Sequence, residues 1–342
     1  MDRMQIKSLP RPTNIPRRSI WSHLPLTQSY IAPEHTISTP ISCCGIGLHS
    51  GKYINLKLLP APAGTGVIFR RTDMSNISIR ACYDNVVDTT LSTVIANPKN
   101  PSIKIATIEH LMAALSGNQI DNIIVECDGP ELPVLDGSSA QFNALLEQAG
   151  RQTLLAIIPS IKILKTVRVE SKDAFAELVP STYEGLTLTL SIDFPVAAIG
   201  KQIFKMHLTP ENFKNELAHC RTFTLKSEID TLHKMGLAKG GSLDNAIVVE
   251  DDIILNPNGL RCKNEFVKHK MLDAIGDLAL SNVRIHGEFI GHKSGHKLNN
   301  LLLRKLMSDK EAWCYLPTST TRAASPEIFP NFFYKKQEKQ EA

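Results

Sequence analysis

The chain has 342 residues, of which 42% are hydrophobic and 21% are charged, and its formal net charge at pH 7 is +4. This length and composition are typical of a soluble globular protein with room for two domains. Apolar runs fall short of the roughly 20 residues that a membrane-spanning helix needs, and the scattered lysines and arginines argue against a nucleic-acid partner.

Residues 1–35 are basic, poor in acidic residues and rich in proline, and they contain no apolar stretch of the kind found in a secretory signal. We predict a disordered arm or a misassigned start for this segment. A transit peptide stays an alternative, although the prolines oppose an amphipathic helix. Residues 317–342 are predicted to be a frayed, solvated tail.

Short strands and turns are predicted for the first half of the chain, residues 36–150, followed by two helices. The predicted strands span 36–41, 53–59, 66–71, 91–96, 103–106 and 122–127, and a tight glycine-rich turn spans 45–51. Thr107 is predicted as the N-cap of a helix over 108–115, and Ser138 as the cap of a helix ending near residue 149.

The second half, residues 159–316, repeats this plan after a linker at 151–158. Strands are predicted over 163–170, 174–179, 186–194 and 283–290. Helices are predicted near 210–217, over 265–278 and over 299–307. The segment 224–250 interrupts the plan and is predicted to be an insert.

These elements predict an α+β protein of two similar domains. Each domain is expected to contain a small, mostly antiparallel sheet with two helices, and the two helix layers should pack together between the sheets. The insert in the second domain is expected to be βαβ-like. The seven cysteines are odd in number and show no Cys-x-x-Cys spacing, which predicts reduced thiols in a cytoplasmic protein and no cysteine-bound zinc.

The helix over 265–278 carries His269 and Asp273, which lie four positions apart and therefore on one helix face. By spacing alone, a surface pair is the commoner explanation. This helix also has an apolar stripe surrounded by ionisable residues, and buried charges must pair or bind a metal. With His110 as a third ligand and Glu109 beside it, these residues predict a catalytic zinc site with an open position.

Several longer motifs occur in order between about residues 36 and 315, and they resemble those of the UDP-3-O-acyl-N-acetylglucosamine deacetylases, zinc enzymes of lipid A biosynthesis in Gram-negative bacteria. The motifs are GIGLHSG at 45–51, TIEHL at 107–111, DN at 121–122, DGPE at 128–131, DGS at 136–138, RTF at 221–223, HKMLD at 269–273 and KSGHKLNN at 293–300.

The resemblance implies hydrolysis of the acetamide of UDP-3-O-(3-hydroxyacyl)-N-acetylglucosamine, which yields acetate and the free 2-amino sugar nucleotide, the committed step of lipid A biosynthesis. It implies one Zn²⁺ per chain, although Fe²⁺ would fit the same ligands. The only partner implied is this small-molecule substrate, and we expect a monomer. Among the matching residues, the implied metal ligands are His110, His269 and Asp273.

The resemblance also assigns the catalytic roles. Glu109 is the implied general base and His296 the implied general acid, which Asp277 orients. Thr222 and Lys270 are implied to stabilise the oxyanion. Lys293 is implied to lie near the substrate diphosphate, and the insert to wrap the acyl chain; the implied substrate-contacting residues on and beside the insert are Phe223, Leu225, Ile229 and Leu232.

Alternatives stay open for several of these residues. Lys270 could be a surface lysine and Lys293 an ordinary loop lysine. The apolar residues of the insert could form a small satellite core instead of lining an acyl passage. Two alternatives concern the whole protein. One is a non-catalytic protein with a structural zinc, and the other is a lipid or sugar-nucleotide binding protein of the same fold that has lost its chemistry.

Overall fold

The computed structural model describes residues 32–317, which form an α+β fold built from small sheets and helices. The predictions for residues 1–31 and 318–342 lie outside the described residues. Residues 33–35, assigned above to the N-terminal arm, instead belong to the first strand, where Glu34 and His35 are buried. Within the described part, no helix has both the length and the apolar composition required to cross a membrane.

The first half of the chain supplies two small sheets and one strand of a third. Its strands are β1 Pro33–Ile37, β2 Ile41–Ile46, β3 Tyr53–Pro60, β4 Val67–Arg71, β5 Ile77–Arg80, β6 Val86–Asp88, β7 Val94–Asn97, β8 Asn100–Ile105 and β9 Ile123–Cys127. One sheet has the order β2-β3-β9-β4-β5 and is antiparallel except for the β4–β9 pair, and another has the order β6-β7-β8.

The second half supplies a larger sheet and a smaller one. Its strands are β10 Arg151–Ile157, β11 Ser160–Ile163, β12 Val167–Ser171, β13 Ala174–Val179, β14 Leu186–Asp193, β15 Lys201–His207, β16 Phe223–Leu225, β17 Ile247–Glu250, β18 Ile253–Ile254, β19 Arg284–His292 and β20 Trp313–Tyr315. The larger sheet is centred on β19, which pairs with β11, β13 and β14. The strand β10 pairs with β1.

The helices are α1 Glu109–Gly117, α2 Ala140–Ala149, α3 Pro210–Asn212, α4 Lys226–Lys234, α5 Glu265–Ala279 and α6 His296–Ser308. Helix α3 continues directly into a π-helical turn, Phe213–Leu217. Helix α4 lies between β16 and β17, which pair in parallel, so the predicted βαβ insert is confirmed.

Alternation of side chains explains why the strands form where they do. In β3 the residues Ile54, Leu56 and Leu58 are buried while the side chains between them are exposed. Such a period of two buries one face of a sheet against a core and leaves the other face to water. The same alternation in β19 buries Phe289.

The helices α1 and α5 pack against each other in the interior, and α5 also packs on β14 and β15. Gly276 makes the close approach possible, because a Cβ at this position would collide with the main chain of Glu109. One hydrophobic core runs through both halves and includes Phe69, Leu111 and Phe289. The close contact of α1 with α5 brings residues about 160 positions apart in the sequence onto one site.

Some local predictions were wrong. The strands predicted over 36–41 and 163–170 each cover parts of two strands, β1 and β2 in the first case and β11 and β12 in the second. The strands β5, β6, β15, β18 and β20 were missed. The predicted linker at 151–158 is mostly the strand β10. Thr107 is not an N-cap, because its φ of 57° places it in the left-handed region and its hydroxyl lies 3.5 Å from Glu131 instead. The division into two domains stays a prediction.

A buried ion pair joins the start of the insert to α5. The carboxylate of Glu265 accepts hydrogen bonds from the main-chain and side-chain nitrogens of Arg221, with an Nε–Oε1 distance of 2.9 Å, and from the amide of Arg261. Burial raises the pKa of Glu265, but these hydrogen bonds outweigh burial and lower it below the usual value.

Glu265→Ala should therefore destabilise the protein by about 3–5 kcal/mol, since it leaves the Arg221 guanidinium buried without its partner. The stabilisation should be present at neutral pH and be lost as the pH falls through the lowered pKa of Glu265. Urea unfolding at several pH values measures both effects. The control is Glu250→Ala, which breaks the exposed Lys226–Glu250 pair and should cost under about 1 kcal/mol; equal losses would contradict the prediction.

Candidate active site and metal centre

Three residues that could hold a metal ion meet where α1 packs on α5. His110 lies in the first turn of α1, and His269 and Asp273 lie on adjacent turns of α5. The Oδ1 atom of Asp273 is 3.6 Å from Nε2 of His110 and 3.4 Å from Nε2 of His269. All three side chains are buried, so the structure brings the predicted metal ligands together.

The chemistry of these groups fits a divalent metal ion. Oδ1 of Asp273 is buried and has no hydrogen-bond partner, which is costly unless a cation binds there. Nδ1 of His269 donates to the carbonyl of Cys220 at 3.0 Å, so the lone pair of Nε2 points toward the cluster. Burial lowers the pKa of both histidines, that of His110 to about 3, which keeps the rings neutral and able to bind metal.

Glu109, the first residue of α1, lies beside this cluster and is buried. Its Oε2 accepts a hydrogen bond from the amide of Thr93 at 3.0 Å, and its Oε1 lies 3.9 Å from Nε2 of His296. Burial, and then the neighbouring carboxylates of Asp273 and Asp277, raise the pKa of Glu109 to about 7. A carboxylate with such a pKa can exchange a proton near neutral pH.

His296 begins α6, and Asp277 on α5 holds its ring. Nδ1 of His296 donates to Oδ2 of Asp277 at 2.9 Å. Asp277 also accepts hydrogen bonds from the hydroxyl of Thr93 and from the side-chain amide nitrogen, Nδ2, of Asn299. Burial alone lowers the pKa of His296, but Asp277 and the other nearby carboxylates outweigh burial and raise it to about 9. The opposite protonation states of Glu109 and His296 therefore coexist between pH 7 and 9.

A cavity of about 240 Å³ adjoins the metal cluster. Glu109, His296 and the three candidate metal ligands line it, together with Thr222, Phe223, Leu225 and Lys270. The Lys270 ammonium lies 2.9 Å from Oδ2 of Asp273, so the alternative of a surface lysine facing away from the site is wrong. Phe223 packs edge-on against Phe266, with ring centroids 4.9 Å apart, which fixes one wall of the cavity.

Four of the predicted site residues do not line this cavity. Asp277 is buried and holds the ring of His296, which does line it. Lys293 follows β19 and forms ion pairs with Asp173 at 2.7 Å and with Asp193 at 3.4 Å. Ile229 and Leu232 lie on α4 and are partly exposed. Their predicted contacts with substrate stay predictions.

Two residues that hold the catalytic groups in place were not predicted from the sequence. Thr93 donates from its amide to Glu109 and from its hydroxyl to Asp277, and Asn299 donates to Asp277. Asn299 lies within the KSGHKLNN motif at 293–300, which is the signal that could have found it. Thr93 precedes β7 in a segment without a comparable motif, and only its packing against α1 and α5 reveals its position.

Comparison with known proteins identifies the family. A family model described as UDP-3-O-acyl N-acetylglycosamine deacetylase matches residues 34–308. The chain is 44% identical over 297 residues to the UDP-3-O-acyl-N-acetylglucosamine deacetylase of Actinobacillus pleuropneumoniae serotype 3 (strain JL03), an alignment that covers 86% of this chain and 96% of the relative.

Similar values hold for two other relatives with the same printed name. The protein of Haemophilus ducreyi is 45% identical over 294 residues, with 85% of this chain and 95% of the relative aligned. The protein of Legionella pneumophila (strain Corby) is 42% identical over 301 residues, with 87% and 98% aligned. Because the family model matches most of the chain and these relatives are 42–45% identical over most of their length, the chain belongs to the UDP-3-O-acyl N-acetylglycosamine deacetylase family.

Proposed function

We propose that this protein is a zinc-dependent amidohydrolase that removes the acetyl group from UDP-3-O-(3-hydroxyacyl)-N-acetylglucosamine. The observation that carries the proposal is the buried His110–His269–Asp273 cluster, with an unpartnered carboxylate oxygen, next to Glu109 and His296. The relatives are named as deacetylases of the same substrate class, which supports an enzyme over a non-catalytic binding protein.

One metal ion per chain would be held by His110, His269 and Asp273. Two imidazoles and one carboxylate with an open position are a ligand set used by catalytic Zn²⁺, and Fe²⁺ fits the same set. When bound, the ion supplies Lewis-acid polarisation of the acetamide carbonyl and lowers the pKa of water. Among the residues that the structure describes, neither a cysteine nor a third histidine joins this cluster, and three protein ligands with an open position favour a catalytic over a structural site.

The residues of the chain divide the proton transfers between them. Glu109 takes a proton from the attacking water, since its carboxylate faces the cavity beside the metal ligands. Thr222 and the Lys270 ammonium donate to the oxygen that becomes negative as the carbonyl carbon turns tetrahedral. His296, held by Asp277, gives a proton to the nitrogen of the departing amino sugar. The products are acetate and the 2-amino sugar nucleotide.

The direct test is acetate release from the acylated sugar nucleotide by protein of known metal content. Activity should disappear when a chelator removes the metal and return when Zn²⁺ is added in an equimolar amount. A protein that binds the sugar nucleotide and zinc, yet releases no acetate, would contradict the proposed function.

Lys293 is proposed to contact the substrate diphosphate, and the apolar insert to enclose the acyl chain. Leu225 of β16 and Glu228 at the start of α4 line the cavity, which supports a path from the metal cluster toward α4. On α4, Ile229 and Leu232 lie three positions apart and thus on one face. We further propose a cytoplasmic monomer of two domains, 36–150 and 159–316, with no macromolecular partner.

If α4 encloses the acyl chain, each buried methylene should contribute at most about 0.8 kcal/mol. Shortening the acyl chain by four carbons should then lower kcat/KM by up to about two orders of magnitude. Ile229→Asn and Leu232→Asn should reduce this dependence on chain length and leave metal content unchanged. Initial rates across a defined acyl series measure the effect.

The matched control is Ile253→Asn, which alters an exposed apolar residue of β18, a strand that follows the insert and belongs to the same small sheet as β16 and β17. This variant should keep the full dependence on chain length. Equal turnover of acylated and non-acylated sugar nucleotides by the unaltered protein would rule out the acyl passage, and an effect of Ile253→Asn as large as that of Ile229→Asn would rule out its location at α4.

A further inference from the structure

A second cluster of metal-binding side chains lies outside the active-site cavity. The ligand atoms of His219, Cys220 and Cys262 all lie within 4.8 Å of one another. The two sulfur atoms are 3.7 Å apart. Cys220 is buried, whereas His219 and Cys262 are partly exposed, so an ion can reach the cluster from solvent. The proposed deacetylation uses none of these three side chains.

The fold holds the two segments of this cluster against each other. His219 and Cys220 follow the π-helical turn at Phe213–Leu217, and Cys262 precedes α5. Arg221 donates to the carbonyl of Gly259 at 2.8 Å, and Arg261 donates to the carbonyl of His219 at 3.1 Å. Each segment therefore carries an arginine that donates a hydrogen bond to the main chain of the other segment. These two hydrogen bonds hold the Cys220 and Cys262 thiols at a fixed distance.

The spacing of the sulfur atoms matches that of two thiolates on one metal ion. With metal–sulfur bonds of about 2.3 Å and a tetrahedral angle, two bound thiolates are about 3.8 Å apart. The thiols of Cys220 and Cys262 are already at this separation. The imidazole of His219 would supply a third ligand, and the open side of the cluster leaves a fourth position to water.

The surroundings favour the deprotonated form of one of the two thiols, Cys262. A hydrogen bond from the Cys220 thiol, followed by one from His219, lowers the pKa of Cys262 to about 6 although burial opposes this change. The ammonium of Lys268, which is paired with Glu216 at 2.7 Å, lies close enough to stabilise the thiolate as well. Cys262 is therefore available as a metal ligand at neutral pH. The hydrogen bond to Cys262, and then burial, raise the pKa of Cys220, so a bound metal ion would have to displace the proton of Cys220.

We propose that His219, Cys220 and Cys262 form a second metal site, which binds a thiophilic divalent ion such as Zn²⁺. Two thiolates and one imidazole are a donor set that prefers zinc and its soft congeners to magnesium or calcium. Their separation of 42 positions in the sequence explains why a search for Cys-x-x-Cys spacing does not find the site.

The second site touches the first through a single peptide group. The carbonyl of Cys220 accepts the hydrogen bond from Nδ1 of His269, and such partners orient metal-bound histidines. An ion bound to Cys220 would fix this peptide and thereby support the orientation of His269. The two sites share no ligand, so the second site can be tested without reference to the proposed deacetylation.

Cobalt binding distinguishes the two sites, because only the second contains sulfur. Protein that already carries its catalytic metal is titrated with Co²⁺ in the presence of a phosphine reductant, after a thiol assay has shown seven free cysteines. We expect a second equivalent of metal to bind and to produce thiolate-to-cobalt charge-transfer absorption in the near ultraviolet. Absence of this band at saturating Co²⁺ would overturn the proposal.

Variants identify the cysteines that give rise to the charge-transfer band. Cys262→Ser should bind one metal ion fewer and lose the charge-transfer band. His219→Asn, which keeps both thiols, should bind the second ion more weakly, so that more Co²⁺ is needed to reach the same absorbance. Both variants should keep the first equivalent of metal. The matched control is Cys314→Ser, which removes another partly exposed thiol and should keep both equivalents. A band that survives in Cys262→Ser, or disappears in Cys314→Ser, would place the sulfur ligands elsewhere and refute the site.

Discussion

Glu109→Gln is expected to lower kcat by roughly two to four orders of magnitude while the protein keeps its metal ion, because the substitution removes a proton acceptor but no metal ligand. The isosteric amide still fills the buried space at the start of α1 and still accepts a hydrogen bond from the amide of Thr93. Acetate release and metal content measured on the same preparation separate the two effects.

Substitution of the metal ligands should give the opposite result. We expect loss of bound metal, and of activity with it, in each of the variants His110→Ala, His269→Ala and Asp273→Ala, because the three side chains together form the proposed metal site. Metal analysis after dialysis measures this loss. Full metal content in all three variants would contradict the assigned cluster.

A surface carboxylate provides the matched control for Glu109. Glu126 lies on β9, is partly exposed and pairs with Arg70 at 3.0 Å. Glu126→Gln should keep both metal and turnover. If Glu109→Gln retained activity similar to that of Glu126→Gln, Glu109 would not be the base.

The second large effect is expected in the pH dependence of kcat/KM, which should be bell-shaped. Activity requires Glu109 without its proton and His296 with its proton. The pKa of Glu109 is about 7 and that of His296 about 9, so activity should rise with pH through the first value and fall through the second. A bound divalent cation nearby lowers both pKa values and moves both limbs toward lower pH.

Two variants assign the limbs of this profile. The residual activity of Glu109→Gln should lack the acidic limb, and that of His296→Gln should lack the basic limb, with a fall of roughly two to four orders of magnitude in each. His292→Gln is the control, because His292 lies at the end of β19 and interacts with Ser191 rather than with the catalytic carboxylates. An unchanged basic limb in His296→Gln would remove His296 from the mechanism.

Local sequence patterns were sufficient for much of the secondary structure and for part of the site. The alternation in β3 and the apolar stripe of α5 predicted these elements correctly, because burial of one face imposes a period of 2 on a strand and of 3.6 on a helix. The spacing of His269 and Asp273 similarly predicted that both would lie on one face of α5. These predictions concern residues within one element, whose relative positions the backbone geometry determines.

Turns and short irregular segments were predicted less well because residues distant in the sequence decide their geometry. Threonine is a common N-cap residue, yet the left-handed conformation of Thr107 and its contact with Glu131 show that a distant residue decides its geometry. The strand β10 lies where the sequence predicts a linker, because its pairing with β1 involves residues more than a hundred positions away. Partners at such separations leave no periodic pattern in the segment itself.

The distances between elements were decided by the tertiary structure alone. The approach of α1 to α5 at Gly276 places Glu109 and His110 beside His269 and Asp273. The position of Thr93 between Glu109 and Asp277, and the contact of Cys220 with Cys262, likewise arise only when separate segments pack. The sequence by itself determined which side chains share a face of one helix or strand, whereas the packing of side chains between elements determined which faces meet and at what distance, because that packing depends on the combined shapes of many residues.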